Sequence, residues 1–226
     1  MYIKWGNPSI SSPTKTLHIC IVDCNERIRQ AAKKQMFNIN HKKEMANFNV
    51  PTRDEVSADN KAIFDNLKSA VGFVPNLYAT LAHSETALGN YLQFQNGKTS
   101  FSKKEKEVIN LVVSQENDCS YCQSAHTAIG KMNGFTDEQI LEIRKGKVSF
   151  DAKLDALAKL TLAITANRGN VDQNVLDVFY AAGYTKGSLI DLVVAIADKV
   201  VMNYVHNLTQ IPIDFPVAPE LEAANV

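Results

Sequence analysis

Residues 102–126 read SKKEKEVINLVVSQENDCSYCQSAH. The opening Ser102-Lys103-Lys104-Glu105 is a capping-box pattern, in which the serine hydroxyl and the glutamate carboxylate each take up a free backbone N–H at a helix start. The apolar run Val108 to Val113 follows at once, so the box introduces a helix with a buried face. Asn117 and Asp118 are good N-cap residues between two helical patterns, and a second helix is expected to start beside them. The stretch therefore predicts two helices joined by the short turn Glu116 to Asp118, packed antiparallel.

The same grammar extends in both directions. Towards the N-terminus, Ala62, Ile63, Leu67 and Ala70 form one stripe that Gly72 ends. Pro75 sits where a first-turn proline is tolerated and opens a segment through Leu77, Ala79 and Leu81. Ser84 to Gln95 supplies a further helix with Leu88, Tyr91 and Leu92 on one face. Towards the C-terminus, Thr136-Asp137-Glu138-Gln139 repeats the capping device before Ile140 and Ile143. Lys153 to Ala166, Val175 to Ala182 and Ser188 to Asn207 complete the set, and the last, long and apolar, is expected to be central. No alternating strand pattern competes. The fold class expected is all-α, a bundle of eight to nine helices arranged as antiparallel pairs.

Residues 1–44 read differently. Asn7-Pro8-Ser9 and Ser11-Ser12-Pro13-Thr14 resemble loop, and the basic stretch ending at Lys43 has few core-type residues at helical spacing. Met45 is followed by Asn47-Phe48-Asn49-Val50-Pro51, after which the patterned sequence begins. Two domains are therefore expected: an irregular or artefactual extension over 1–44 and a helical domain over 45–226. A short docking arm built on Leu17 to Val22 is the competing reading of the extension.

Composition bounds the function. A chain of 226 residues with 45% hydrophobic content can bury a sizeable core. Lys plus Arg and Asp plus Glu are both 24, a net charge of zero. Nucleic-acid and membrane-surface roles need a basic excess, so neither partner is expected. No apolar run reaches the roughly 18 to 20 residues of a spanning helix, and the N-terminus lacks the pattern of a secretory signal. A cytoplasmic location follows as an expectation, and there a close cysteine pair reads as metal-binding or catalytic.

That pair is Cys119-Ser120-Tyr121-Cys122, at or just inside a helix N-terminus, where free N–H groups and the positive end of the macrodipole favour a thiolate. Offsets of three and seven place Cys122 and His126 on the face of Cys119, so imidazole and sulfur can meet. Lowering a thiol pKa from about 8.5 to about 7 takes roughly 2 kcal/mol, whereas a helix terminus offers about 0.3 to 1 kcal/mol. The dipole alone falls short, and a neighbouring imidazolium, or an imidazole acting as general base, can supply the remainder. Glu107 lies about three turns back on the preceding helix, within reach of His126 if the helices fold antiparallel. The sequence thus permits a Glu107–His126–Cys122 relay.

Other readings bear on the same residues. A zinc site wants four ligands, and only Cys20 and Cys24 in the extension could furnish a second cluster. Covalent haem attachment needs His directly after the second cysteine, where Gln123 stands. Two inert buried cysteines are the ordinary alternative. His18 and His41 lie in the extension, His83 falls at a helix boundary, and His206 reads as a C-terminal dipole partner. Asp151, Asp155 and Lys159 read as a solvated ladder.

Glu107, Cys119-Ser120-Tyr121-Cys122 and His126, embedded in serial helices, resemble the alkylhydroperoxidase D (AhpD) group of the carboxymuconolactone decarboxylase superfamily. The resemblance runs roughly over residues 50–217, including Ile211-Pro212-Ile213-Asp214-Phe215-Pro216. It implies an AhpD-like helical fold that assembles as a homo-oligomer, commonly a trimer or hexamer, and peroxidase activity through the dithiol without a cofactor. On that pattern Cys122 attacks the peroxide, Cys119 resolves the product, and His126 with Glu107 relays protons. The implied partners are a hydroperoxide substrate and a dithiol reductant such as a dihydrolipoyl group on a carrier protein. The family's peroxidases tend to carry a second histidine between the cysteines, where this chain has Tyr121. Two other functions are open to such a chain: a decarboxylase-type lyase, which both thiols disfavour, and a non-enzymatic redox-sensing oligomer.

Overall fold

The computed structural model describes residues 48–221, and the expectations for residues 1–44, with Cys20, Cys24, His18 and His41, lie outside them. Among the described residues the chain forms nine α-helices and no strand, after a single 3-10 turn at Arg53–Glu55. The helices are α1 Ala58–Val71, α2 Asn76–Leu81, α3 Ala87–Gln95, α4 Lys103–Glu116 and α5 Ser120–Met132. They continue with α6 Asp137–Arg144, α7 Ala152–Ala166, α8 Gln173–Ala181 and α9 Lys186–Thr209. The all-α expectation and the helix count both hold. No helix among the described residues is long and apolar enough to cross a membrane.

The start and stop signals act as their chemistry requires. Ser102 and Thr136 both form complete capping boxes, with Glu105 and Gln139 reaching back to the cap N–H. Gly72 ends α1 at φ 94°, a left-handed conformation that glycine adopts without steric cost. Two boundaries shift from expectation. Pro75 is the N-cap of α2 rather than its first residue. The third helix begins at Ala87, because the Ser84 hydroxyl accepts from the Thr86 and Ala87 N–H groups and so builds the turn before the helix.

The helix at the centre is α4. Val108, Ile109, Leu111, Val112 and Val113 are all buried, and α4 packs against α5, α7 and α9. The long α9, about 36 Å at 1.5 Å per residue, is only half central. Leu192, Ile196, Lys199, Asn203 and His206 are buried along one stripe, while Ile190, Val193, Val194, Val201, Tyr204 and Leu208 are exposed. A second buried cluster gathers Phe64, Leu77, Leu88, Tyr91, Met202 and Ile211 around Cys119, Tyr121 and Cys122. The cysteine pair thus stands inside a core.

Residues after α9 return across this second cluster. Asp214 Oδ2 accepts the Asn76 N–H at 2.7 Å, and the Asn76 amide donates to the Pro212 carbonyl at 3.1 Å. Further along, the Ala218 N–H donates to Ser124 Oγ and the buried Arg144 donates to the Pro219 carbonyl. The segment is fixed by polar anchors on α2, α5 and α6.

Candidate active site

Cys119 owes its position to two helix ends at once. At the end of α4 the Asp118 N–H donates to the Gln115 carbonyl and the Cys119 N–H to the Ser114 carbonyl, at 3.1 and 3.0 Å. That is a Schellman motif with Asp118 at φ 51° in the left-handed place that glycine ordinarily takes. Cys119 is then itself the N-cap of α5, its Sγ accepting the Cys122 N–H at 3.4 Å. Asn117 and Asp118, expected as caps of α5, instead finish α4. From α9, Asn203 accepts from the Asn117 amide at 3.0 Å and Asn207 donates to the Asn117 carbonyl at 2.7 Å, clamping the turn.

Both cysteines are free thiols, Cys119 at 0% exposure and Cys122 at 2%. Of the two, Cys122 lines a space of about 80 Å³, whose wall it shares with His126, Tyr121, Tyr78, Phe215 and Lys199. A wider cleft of about 290 Å³ lies along His126, Glu107, Asn110 and Lys199. His126 Nδ1 is 2.8 Å from Glu107 Oε2, and Asn110 donates to Glu107 Oε1 at 3.2 Å. The antiparallel packing of α4 on α5 thus brings Glu107 and His126 together as the spacing predicts. His126 and Cys122 face the same cavity but make no hydrogen bond to each other.

The electrostatics assign different states to these groups. Burial raises the Glu107 carboxyl, but His126, Lys199 and the Asn110 amide together hold it below the usual carboxylate range. An ionised Glu107 only accepts, so the His126 proton sits on Nδ1 and Nε2 keeps its lone pair. Burial, with the Lys199 charge, lowers the His126 pKa against the pull of Glu107, so the imidazole is neutral near pH 7. The Cys119 thiol, donating to the Cys122 sulfur and buried, is pushed up. Cys122 is pulled down by that donation, with Lys199 and Asn203 assisting against burial and the charge of Asp198. The helix N–H therefore falls on Cys119, whose thiol is pushed up, rather than on Cys122, whose thiol is pulled down.

Tyr121 takes no part in that chain. Its hydroxyl donates to Asp214 Oδ1 at 2.6 Å and accepts the Leu77 N–H at 3.2 Å, while its ring packs edge-on to Phe215. It ties α5 to α2 and to the returning C-terminal segment. Tyr121→Phe removes a hydrogen bond to a carboxylate, worth about 1.5 to 3 kcal/mol. The expected result is a loss of that size in chemical denaturation, with Cys122 alkylation little changed.

Three residues on the buried stripe of α9 escaped the sequence reading: Lys199, Asn203 and, in its true role, His206. Lys199 is 3% exposed and none of the ion pairs among the described residues includes it. His206 is buried against the Tyr121 ring at 5.4 Å and burial lowers its pKa, so it is neutral and no dipole partner. The signal was present in the spacing, since Leu192, Ile196, Lys199, Asn203 and His206 recur at intervals of four and three. Asp155 is likewise more than a solvated face, accepting the Val148 N–H at 2.8 Å besides pairing with Lys159.

His126 and His206 both have folded pKa values below the ordinary histidine value, so below about pH 6.5 the unfolded chain binds more protons than the folded one. Stability is therefore lost as pH falls through that region, by up to about 1.4 kcal/mol per pH unit for each histidine. Glu107, lowered in the fold, adds a further loss at more acid pH. Urea titrations across this range should show the decline, and His206→Gln should flatten it.

The fold and the site together define an all-helical protein with a buried dithiol beside a histidine–carboxylate pair. The sequence profile of the carboxymuconolactone decarboxylase family matches residues 85–163. No curated protein matches the chain in sequence. Among solved structures, the chain is similar to a peroxidase-related protein from Silicibacter sp. TM1040, with 20% identity and TM-score 0.66, over 75% of this chain and 92% of that one. It is similar to an alkylhydroperoxidase AhpD core protein from Ralstonia eutropha JMP134, with 21% identity and TM-score 0.65, over 72% and 89%. A debrominase, Bmp8, in complex with 2,3,4-tribromopyrrole has 16% identity and TM-score 0.62, over 76% and 94%. In fold the chain is similar to AhpD-like proteins, and its residues 85–163 carry the carboxymuconolactone decarboxylase family pattern.

Proposed function

We propose that this protein is a thiol-dependent peroxidase that reduces hydroperoxides through Cys122 and Cys119. The observation that carries the reading is Cys122 on the wall of a small cavity beside His126, whose Nδ1 is held by Glu107 at 2.8 Å. His126 Nε2 takes the Cys122 thiol proton, directly or through water. The thiolate then attacks the peroxide: an S–O bond forms, the O–O bond breaks, and the departing alkoxide takes the proton back as alcohol. Cys122 is oxidised to a sulfenic acid as the peroxide is reduced. Cys119 attacks that sulfur, forming S–S and breaking S–O, and its proton leaves with the hydroxide as water. An external dithiol returns the disulfide to the reduced state.

The reductant we favour is a dithiol small enough to reach a buried sulfur, such as a dihydrolipoyl group on a carrier protein. Steady-state peroxide consumption with dihydrolipoamide is the test. Sustained turnover supports the peroxidase, and consumption that stops at one equivalent per site contradicts it in favour of a redox sensor.

The exposed apolar residues along α9, Ile190, Val193, Val194, Val201, Tyr204 and Leu208, support self-association, since such faces seldom stay open to water. Sedimentation velocity at micromolar concentration is expected to show a homo-oligomer of trimer or hexamer size, and Val194→Glu to dissociate it.

A further inference from the structure

The charges around Cys122 leave one group unexplained by the relay. Lys199 sits on the buried stripe of α9, one turn before Asn203, and lines both the small cavity with Cys122 and the wider cleft with Glu107. It has no ion-pair partner among the described residues. A buried ammonium without a carboxylate is unfavourable unless an anion meets it when the protein works. Glu107 is already engaged by His126 and Asn110. The backbone N–H at the start of α5 is engaged by Cys119. The Tyr121 hydroxyl is engaged by Asp214. Among the described residues the Asp198 carboxylate, which lines the wider cleft, and the Cys122 sulfur are both without a fixed cation, and of the two the sulfur alone shares the small cavity with Lys199.

We propose that Lys199 is the cation for that sulfur: a positioning residue, placed by α9 on the cavity wall, against whose charge the Cys122 thiolate is held. This rests on the assignment of Cys122 as the attacking thiol and deepens it. It also relieves His126 of the cationic role. With the positive charge on α9, the imidazole stays neutral as a base, and once protonated it gives the proton up readily to the leaving oxygen. The directions of the neighbouring pKa shifts agree, since Lys199 lowers Cys122 and His126 alike.

Other titratable groups face Cys122 or Lys199: Glu107 on α4, Cys119 at the N-cap of α5, Tyr121 and His126 on α5, Tyr78 on α2, Tyr91 on α3 and Asp198 on α9. Asp198 acts in the opposite sense on Cys122, and its buried Oδ1 has no hydrogen-bond partner. Its removal should therefore move Cys122 the other way.

The test is site-resolved alkylation of the reduced full-length protein against pH, read by peptide mass spectrometry, for wild type, Lys199→Met, Lys199→Arg and Asp198→Asn. Lys199→Met should raise the Cys122 midpoint by about one pH unit, a tenfold loss of thiolate below it, while Lys199→Arg recovers most of the loss and Asp198→Asn lowers the midpoint. Thermal stability of Lys199→Met should be equal or higher, because an unpaired buried charge has been removed. If Lys199→Met proves insoluble, Lys199→Gln is read in the same way. An unchanged midpoint, or equal losses in the Met and Arg variants with the fold intact, overturns the proposal. Alkylation needs no peroxide, so a protein that shows these shifts yet consumes no peroxide would defeat the peroxidase reading alone.

Discussion

Cys122→Ser is expected to lose peroxide reduction by at least about 1,000-fold, the scale on which removal of a covalent nucleophile is felt. Cys119→Ser should behave differently, completing the first oxidation and then stopping, with a sulfenic acid at Cys122 that a dione probe traps. The asymmetry follows from the structure: Cys122 lines the cavity and its thiol is pulled down, whereas Cys119 accepts the Cys122 N–H and its thiol is pushed up. Because donation from Cys119 is the largest influence favouring the Cys122 thiolate, Cys119→Ala should also slow the first step, while serine, which still donates, slows it less. Rapid mixing with peroxide, followed by mass analysis of each variant, measures both steps.

The second large effect is the non-additivity of His126→Gln and Glu107→Gln. General acid–base groups contribute about 100- to 10,000-fold, and a loss on that order is expected for His126→Gln, with somewhat less for Glu107→Gln. The 2.8 Å contact makes the carboxylate the orienter of the imidazole, fixing the proton on Nδ1 and so exposing the Nε2 lone pair. Once His126 is gone, Glu107 has nothing left to orient. The double variant should therefore resemble the worse single one, measured as the rate of Cys122 oxidation against pH. Multiplied losses would mean that the two act independently.

The helices were legible because their signals are local. The capping boxes at Ser102 and Thr136, the stripes of α1 and α4, and Gly72 each act within a few residues of where they stand. The pairing of Glu107 with His126 was legible for a similar reason, since one short turn joins the two helices that carry them. What could not be read comes from contacts distant in sequence. Tyr121 meets Asp214 from 93 positions away, and that partner decides that it is an anchor rather than a substitute for a relaying histidine. Asn117 serves α4 and leaves Cys119 to cap α5, because Asn203 and Asn207 of α9 hold the turn. Lys199 and Asn203 stand in a helix that reads as long and apolar, and His206 reads there as a C-terminal dipole partner. A polar residue recurring on the buried stripe of such a helix is the signal to look for.

Cys119 and Cys122 are expected to act as one redox unit driven by peroxide. The most direct test is to treat the reduced protein with one equivalent of hydroperoxide, block free thiols, and map the two cysteines by mass spectrometry with and without a dithiol wash. An internal Cys119–Cys122 disulfide is expected, formed in stoichiometric yield and fully reversed by the dithiol. Two thiols that both remain open to alkylation after peroxide would contradict it.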